Sequence, residues 1–160
     1  HTMSYSVTGV QTFALPISTS GGWDGLIFLW DAENGEKLHT LDAKVSPVGG
    51  VTWSLDGDRL ASSNGWFTVN IWDVTSGMLL HTLDTQEYSS GGVNWSQSGE
   101  LLSLEGRIDG KIIIWNAESG ENLTILTGHK NWVNEVVWSP DGKTLASGGW
   151  DGTIRFWGIP

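Results

Sequence analysis

Tryptophans recur along the chain at an interval of about 42 residues, and this repeat limits the possible fold more than any other feature. One series, the closing tryptophans, ends apolar runs such as LIFLW, and a second series, the inner tryptophans, ends runs such as GGVTW. The closing tryptophans are Trp30, Trp72, Trp115 and Trp157, and the inner tryptophans are Trp53, Trp95 and Trp138. A repeat of this length must be one supersecondary unit that packs against its neighbours. We therefore expect both series to lie in the core.

Each period contains four short runs of strand character, separated by turn-forming clusters such as SPDGK, WDG and DAENGE. Runs of this kind, bounded by Gly, Asp, Asn, Ser and Pro, predict antiparallel strands joined by tight turns. The 22 glycines agree with a turn-rich chain, and no window has a convincing helical period. Four strands per repeat is typical of a propeller blade, so the sequence predicts an all-β fold with four blades.

The last period resembles a near-consensus WD repeat. The stretch LTGHKNWVNEVVWSPDGKTLASGGWDGTIRFW has the Gly128–His129 pair, the SPDGK turn, the DG turn and the closing Trp157. The resemblance covers roughly residues 18–157, although the second and third periods have Ala43-Lys44 and Thr85-Gln86 where the family has Gly-His. It implies a WD-repeat β-propeller whose usual role is to hold interaction partners.

The repeat boundaries predict a half-propeller. Residues 1–17 do not follow the repeat, residues 18–41 form the rest of blade 1, and residues 42–83, 84–126 and 127–160 form blades 2 to 4. Blade 4 lacks its outer strand. Two copies of four blades would make an eight-bladed ring, so we expect a homodimer closed by strand exchange.

The N-terminal segment has a particular place in this dimer. Residues around 3–7 would add as an outer strand beside residues 153–157 of the partner. Residues around 10–15 would form a makeshift inner strand, with Phe13 in the place of an inner tryptophan. The stretch SVTGVQTFALPIS also resembles translated sequencing-linker read-through, which suggests a metagenomic, bacterial reading frame that is truncated or chimeric.

Four polar residues of blade 4 invite two interpretations. His129, Ser147 and Asp151 are the residue types of a serine-hydrolase triad. The WD-repeat resemblance instead implies that these three, with Trp157, form a structural hydrogen-bond network. The sequence contains no sign of an oxyanion hole or nucleophile elbow, so we favour the structural role and a protein that is not an enzyme.

The resemblance also implies a partner-binding face, formed by the loops that lead into the inner strands and the loops before the DG turns. The positions on this face are Trp23, Trp66, Arg107, Trp132, Asn134 and Trp150. Exposed tryptophans tend to mark interaction sites. The alternatives are that each tryptophan merely covers the neighbouring blade, or that the tryptophans are stacking platforms for a carbohydrate or another small ligand.

Composition restricts the partners further. Lys and Arg number 8 against 18 Asp and Glu, a formal net charge of −10, which disfavours nucleic acid and anionic membrane surfaces. The chain has no cysteine, and no transmembrane or signal segment is evident, so we expect a cytoplasmic protein. His39 and His81 lie one blade apart and make a poor metal site. No cofactor is expected, and the partners expected are a second copy and an unidentified protein or peptide.

Overall fold

The repeat folds as a series of antiparallel sheets, each of which is one blade. The structure is a computed structural model that describes residues 5–7, 17–44, 47–65, 67–85, 90–106 and 109–159. Across these residues there are fifteen β-strands and no helix, so the prediction of an all-β chain is confirmed.

Strands follow chain order within every sheet. Blade 1 contains β1 (Tyr5–Val7), β2 (Ile17–Gly21), β3 (Leu26–Asp31) and β4 (Lys37–Asp42). Blade 2 contains β5 (Val48–Trp53), β6 (Arg59–Asn64), β7 (Thr68–Asp73) and β8 (Leu79–Asp84). Blade 3 contains β9 (Ser90–Trp95), β10 (Leu101–Gly106), β11 (Ile112–Asn116) and β12 (Asn122–Leu126). Blade 4 contains β13 (Val133–Trp138), β14 (Thr144–Gly149) and β15 (Ile154–Gly158).

The core lies between blades. Three apolar clusters join blade 1 to blade 2, blade 2 to blade 3, and blade 3 to blade 4. Each junction is built on the residues one and three positions before a closing tryptophan, and all six of these side chains are at most 1% exposed. They are Ile27 and Leu29, Val69 and Ile71, and Ile112 and Ile114. Because strand side chains alternate, these two positions point to the same face of the sheet, towards the following blade.

The two tryptophan series have different hydrogen-bond partners. Every closing tryptophan except Trp115 donates to a serine of its own sheet, as from Trp72 Nε1 to Ser62 Oγ at 3.0 Å. Two inner tryptophans, Trp95 and Trp138, donate to the preceding blade, as from Trp138 Nε1 to Ser103 Oγ at 3.1 Å. Trp53, Trp72 and Trp115 are buried, as predicted for core residues, and Trp95, Trp138 and Trp157 pack against the core clusters with part of each ring exposed. Trp30, Trp95, Trp138 and Trp157 are half-buried.

The outer strands contact the turn of the following blade. His39 on β4 places its Nε2 3.1 Å from the Thr75 carbonyl oxygen. A Cβ added to Gly77 would lie 3.0 Å from the His39 ring, and Gly77 has a φ of 68°. Two features therefore favour glycine at position 77: the positive φ of its backbone and the close approach of the His39 ring. His81 stands against Gly120 of blade 3 in the same way.

The inner strand of blade 1 comes from a different segment than the one expected. Tyr5–Val7 pairs with β2 antiparallel, with Tyr5 opposite Gly21 and Val7 opposite Thr19. The sequence-based assignment gave this position to residues around 10–15, which lie outside the described residues, as does Phe13. Pairing here satisfies backbone groups along the free edge of β2, which any extended segment can do whatever its repeat pattern.

Candidate functional site

Blade 4 carries a continuous chain of polar contacts. Trp157 Nε1 donates to Ser147 Oγ at 2.8 Å, and Ser147 Oγ lies 2.8 Å from His129 Nε2. His129 Nδ1 lies 3.0 Å from a carboxylate oxygen of Asp151. An ionised carboxylate only accepts, so Nδ1 carries the proton and Nε2 accepts from the Ser147 hydroxyl. The structure thus brings together the four residues singled out in the sequence.

Asp151 lies in the turn that follows β14 and accepts several hydrogen bonds there. Its carboxylate accepts from the Lys130 backbone N–H at 2.9 Å and from the Thr153 hydroxyl at 2.7 Å. These two bonds, the Lys130 N–H first, hold the pKa of Asp151 well below its ordinary value of 3.8, and the His129 ring adds to the effect. The charged form is therefore the form that the turn stabilises.

We predict that the contribution of Asp151 to stability depends on pH. Because its pKa is lowered in the folded chain, the carboxylate stabilises the fold above its ordinary pKa, and this contribution is lost as pH falls towards the lowered value. The difference in Tm between wild type and Asp151→Asn should be largest near neutral pH and shrink below about pH 4.

The identical pentapeptide of blade 1 supplies the control for this measurement. Asp24 occupies the same place in GGWDG and accepts from the Leu26 backbone N–H at 3.1 Å. Asp24→Asn should lower the Tm less than Asp151→Asn does at neutral pH, because fewer hydrogen bonds to the carboxylate are lost. A difference for Asp151→Asn that does not change with pH would contradict the electrostatic role given to Asp151.

The geometry of the blade 4 network suits a structural role. Ser147 is 2% exposed, and its Oγ is flanked by the Trp157 indole and the His129 ring. Each of these buried polar atoms thus has a hydrogen-bond partner within the blade, as buried polar groups require. In the described part of the chain, no three His, Asp or Glu side chains are grouped closely enough to hold a metal ion. No helix there is long and apolar enough to cross a membrane.

Two buried polar residues, Glu105 and Asn64, were not singled out from the sequence. The Glu105 carboxylate accepts from the Gly92 N–H of its own blade at 2.9 Å and from the Val136 N–H of blade 4 at 3.0 Å, so it links the two blades. Asn64 in blade 2 occupies the position that Gly149 holds in blade 4. A Cβ at Gly149 would collide with His129, so a side chain fits only in a blade that lacks this histidine.

The rim of blade 4 exposes two tryptophans that touch each other. Trp150 is 66% exposed and Trp132 is 46% exposed, and their ring centroids lie 5.8 Å apart at an interplanar angle of 46°. Trp150 Nε1 donates to Asn134 Oδ1 at 3.3 Å. Trp23 is as exposed as Trp150 but belongs to blade 1. Trp66 and Arg107 lie outside the described residues.

Blade 4 also has an exposed apolar face. Ile154 is 74% exposed and Phe156 is 76% exposed, and Val137 on the inner strand of the same sheet is also exposed. An open groove of about 390 Å³, lined in part by Gly148 and Gly149, borders Ile154. Ile154 and Phe156 precede Trp157 by three positions and one position, so they are the counterparts of the side chains that form every junction within the chain.

Three four-stranded antiparallel sheets and one three-stranded sheet, packed face to face in succession, define a partial β-propeller. The family model described as WD domain, G-beta repeat matches residues 35–73 and 120–158. The chain therefore belongs to the WD-repeat family, as the sequence indicated.

Known proteins with similar sequences extend this result. The chain is 30% identical over 149 residues to Protein FIZZY-RELATED 3 of Arabidopsis thaliana, which covers 88% of this chain and 30% of that protein. It is 30% identical over 141 residues to Meiotic fizzy-related protein 1 of Schizosaccharomyces pombe, covering 86% and 34%. It is 43% identical over 61 residues to Guanine nucleotide-binding protein subunit beta-5b of Danio rerio, covering 34% and 15%. The chain thus spans about a third or less of the length of these relatives.

Proposed function

We propose that this chain is a non-enzymatic protein-interaction scaffold whose first partner is a second copy of itself. The observation that carries the proposal is the exposure of Ile154 and Phe156, at 74% and 76%. At the three junctions within the chain, the same two positions are buried against the following blade. The exposed face of blade 4 thus has the same apolar side chains that pack against a following blade elsewhere in the chain.

The second copy would present its first blade. The free face of blade 1 contains Phe28 and Trp30, whose rings lie edge to face at 5.7 Å, and Lys37 stands 5.0 Å over Phe28. Two copies joined at both ends would give a closed eight-bladed ring with two-fold symmetry. Two such junctions would bury roughly 2,000–5,000 Å² in total, which is the range of obligate interfaces.

The test is the mass of the protein in solution. Wild type should sediment as a dimer at micromolar concentration, with a Tm that rises with concentration. Phe156→Asp places a charge in the proposed junction and should give a monomer. Met78→Asp, at an exposed apolar residue on a turn of blade 2, should leave the dimer intact. A monomeric wild type with a concentration-independent Tm would overturn self-association.

Strand exchange is a separate element of this proposal. In the structure Tyr5–Val7 pairs with β2 of its own chain, so exchange onto β15 of a partner would require these residues to leave that position. A disulfide between Val7→Cys and Thr19→Cys would hold the pairing, since the two residues are directly opposite and the chain has no other cysteine. Loss of the dimer on oxidation would favour exchange, and an unchanged dimer would exclude it.

The rim tryptophans support a second role, the binding of a further partner. We propose that Trp132, Asn134 and Trp150 form part of a face for a protein or peptide, to which Trp23, Trp66 and Arg107 would also belong. The exposed, touching indoles of Trp132 and Trp150 are the observation that favours it. A carbohydrate that stacks on the same rings is the alternative. Titration with sugars and with peptides, followed by calorimetry in wild type and Trp150→Ala, separates the two.

A further inference from the structure

The Trp132–Trp150 pair forms an open V on the rim of blade 4. The two rings meet at 46° with their centroids 5.8 Å apart, and both indoles are at least 46% exposed. A cation is attracted to the face of an indole when it lies within about 6 Å of the ring centroid. At this separation, one cation over the mouth of the V can satisfy that distance to both rings.

Hydrogen bonds hold the V in place before any ligand binds. The Trp150 backbone N–H donates to the Trp132 carbonyl at 2.8 Å, which ties the two loops together. The Trp150 indole N–H donates to Asn134, and the Trp132 backbone N–H donates to Asn131 Oδ1 at 2.8 Å. Aromatic anchors that are already ordered lose little conformational entropy on binding, so a single side chain can be held with useful affinity.

The charges around the V favour a positive ligand. Glu135 follows Asn134 directly and is exposed, whereas the Asp151 carboxylate is engaged by His129, Lys130 and Thr153. Lys130 is the opposing charge, two residues before Trp132 and also exposed. The whole chain carries a net charge of −10, so a basic segment would be drawn towards it at low ionic strength.

On the basis of the partner-binding face proposed above, we propose that the Trp132–Trp150 V holds a lysine or arginine side chain from a basic segment of a partner protein. The cation lies over the two indole faces, and Glu135 neutralises it from the side. This cation site does not depend on the proposed self-association through Phe156.

Calorimetry with two matched peptides tests the assignment. One is an octapeptide that alternates arginine with glycine, and the other has glutamine in place of each arginine. Wild type should bind the arginine peptide at low salt at least about 10-fold more tightly than the glutamine peptide. Trp150→Ala and Trp132→Ala should each weaken that binding by about 3- to 30-fold. Trp150→Phe, which keeps an aromatic face, should retain part of the affinity.

Trp23→Ala is the matched control, because Trp23 lies in the same pentapeptide with the same 66% exposure and no ring contact to another tryptophan among the described residues. It should bind the arginine peptide within about 2-fold of wild type, and Lys130→Gln should bind it more tightly. An unchanged Tm would show that each variant is folded.

Three results would overturn the assignment. If Trp150→Ala and Trp23→Ala bind the arginine peptide equally, the attraction is a general charge effect. If wild type binds both peptides equally and Trp150→Ala binds neither, the rim binds peptides without selecting a cation. The proposed partner-binding face is then retained, and the cation site is not. If neither peptide binds more tightly than about 1 mM, the V is not a peptide site, whereas the mass of the Phe156 variant decides self-association independently.

Discussion

Replacing Trp115 with alanine is expected to lower the free energy of unfolding by about 3–5 kcal/mol. Trp115 is 7% exposed and belongs to the apolar cluster between blades 2 and 3, so its removal leaves a cavity that the rigid strands around it cannot close. Urea unfolding followed by circular dichroism measures the loss. Trp150→Ala should cost less than about 1.5 kcal/mol, because Trp150 is exposed and its removal loses one ring contact and one exposed hydrogen bond, to Asn134. Equal losses would mean that the rim tryptophan is part of the core.

Phenylalanine variants separate packing from hydrogen bonding in the same experiment. Trp72 donates to Ser62, whereas Trp115 Nε1 has no partner among the described residues. Trp72→Phe should therefore leave a buried hydroxyl without its donor and cost about 1–3 kcal/mol beyond the change in volume. Trp115→Phe should show no such additional cost. A larger loss for Trp115→Phe than for Trp72→Phe would contradict this account.

Ser147→Ala is expected to cost about 2–4 kcal/mol, because it leaves both the Trp157 indole N–H and His129 Nε2 without a partner at a site that is 2% exposed. Ser62→Ala is the control within the chain. Ser62 is equally buried but, among the described contacts, binds one ring nitrogen, that of Trp72. Ser62→Ala should therefore lower the free energy of unfolding by about half as much as Ser147→Ala. If the two variants unfold at the same urea concentration, His129 contributes nothing through Ser147.

The repeat could be recognised without a structure because its information is local. Tryptophan spacing, alternating apolar residues and glycine turns are short-range features, and each period repeats them. They were sufficient for the all-β class and for the WD-repeat family. The WD-repeat resemblance that these features support also implied one network of His129, Ser147, Asp151 and Trp157, and the register of the antiparallel strands places Ser147 within reach of the other three.

The remaining features depend on contacts between segments that no repeat relates. Glu105 stands where blade 4 has Gly148, and its role is visible only once the inner strands of blades 3 and 4 lie side by side. The side chain of Asn64 can be accommodated because blade 2 lacks the histidine that fills the equivalent space in blade 4. The Trp132–Trp150 contact joins two loops that lie 18 positions apart in the sequence and meet only when β13 and β14 pair.

The sequence by itself determined how each strand is patterned and where each turn falls, since side-chain alternation and turn chemistry act over a few residues. The tertiary structure alone decided which segment lies inside blade 1, because Tyr5–Val7 joins β2 through backbone groups that every residue possesses. It alone also left Ile154 and Phe156 exposed while their six counterparts are buried. The same apolar pattern is buried core or exposed surface according to whether another blade packs against it, and that is a property of the packed molecule.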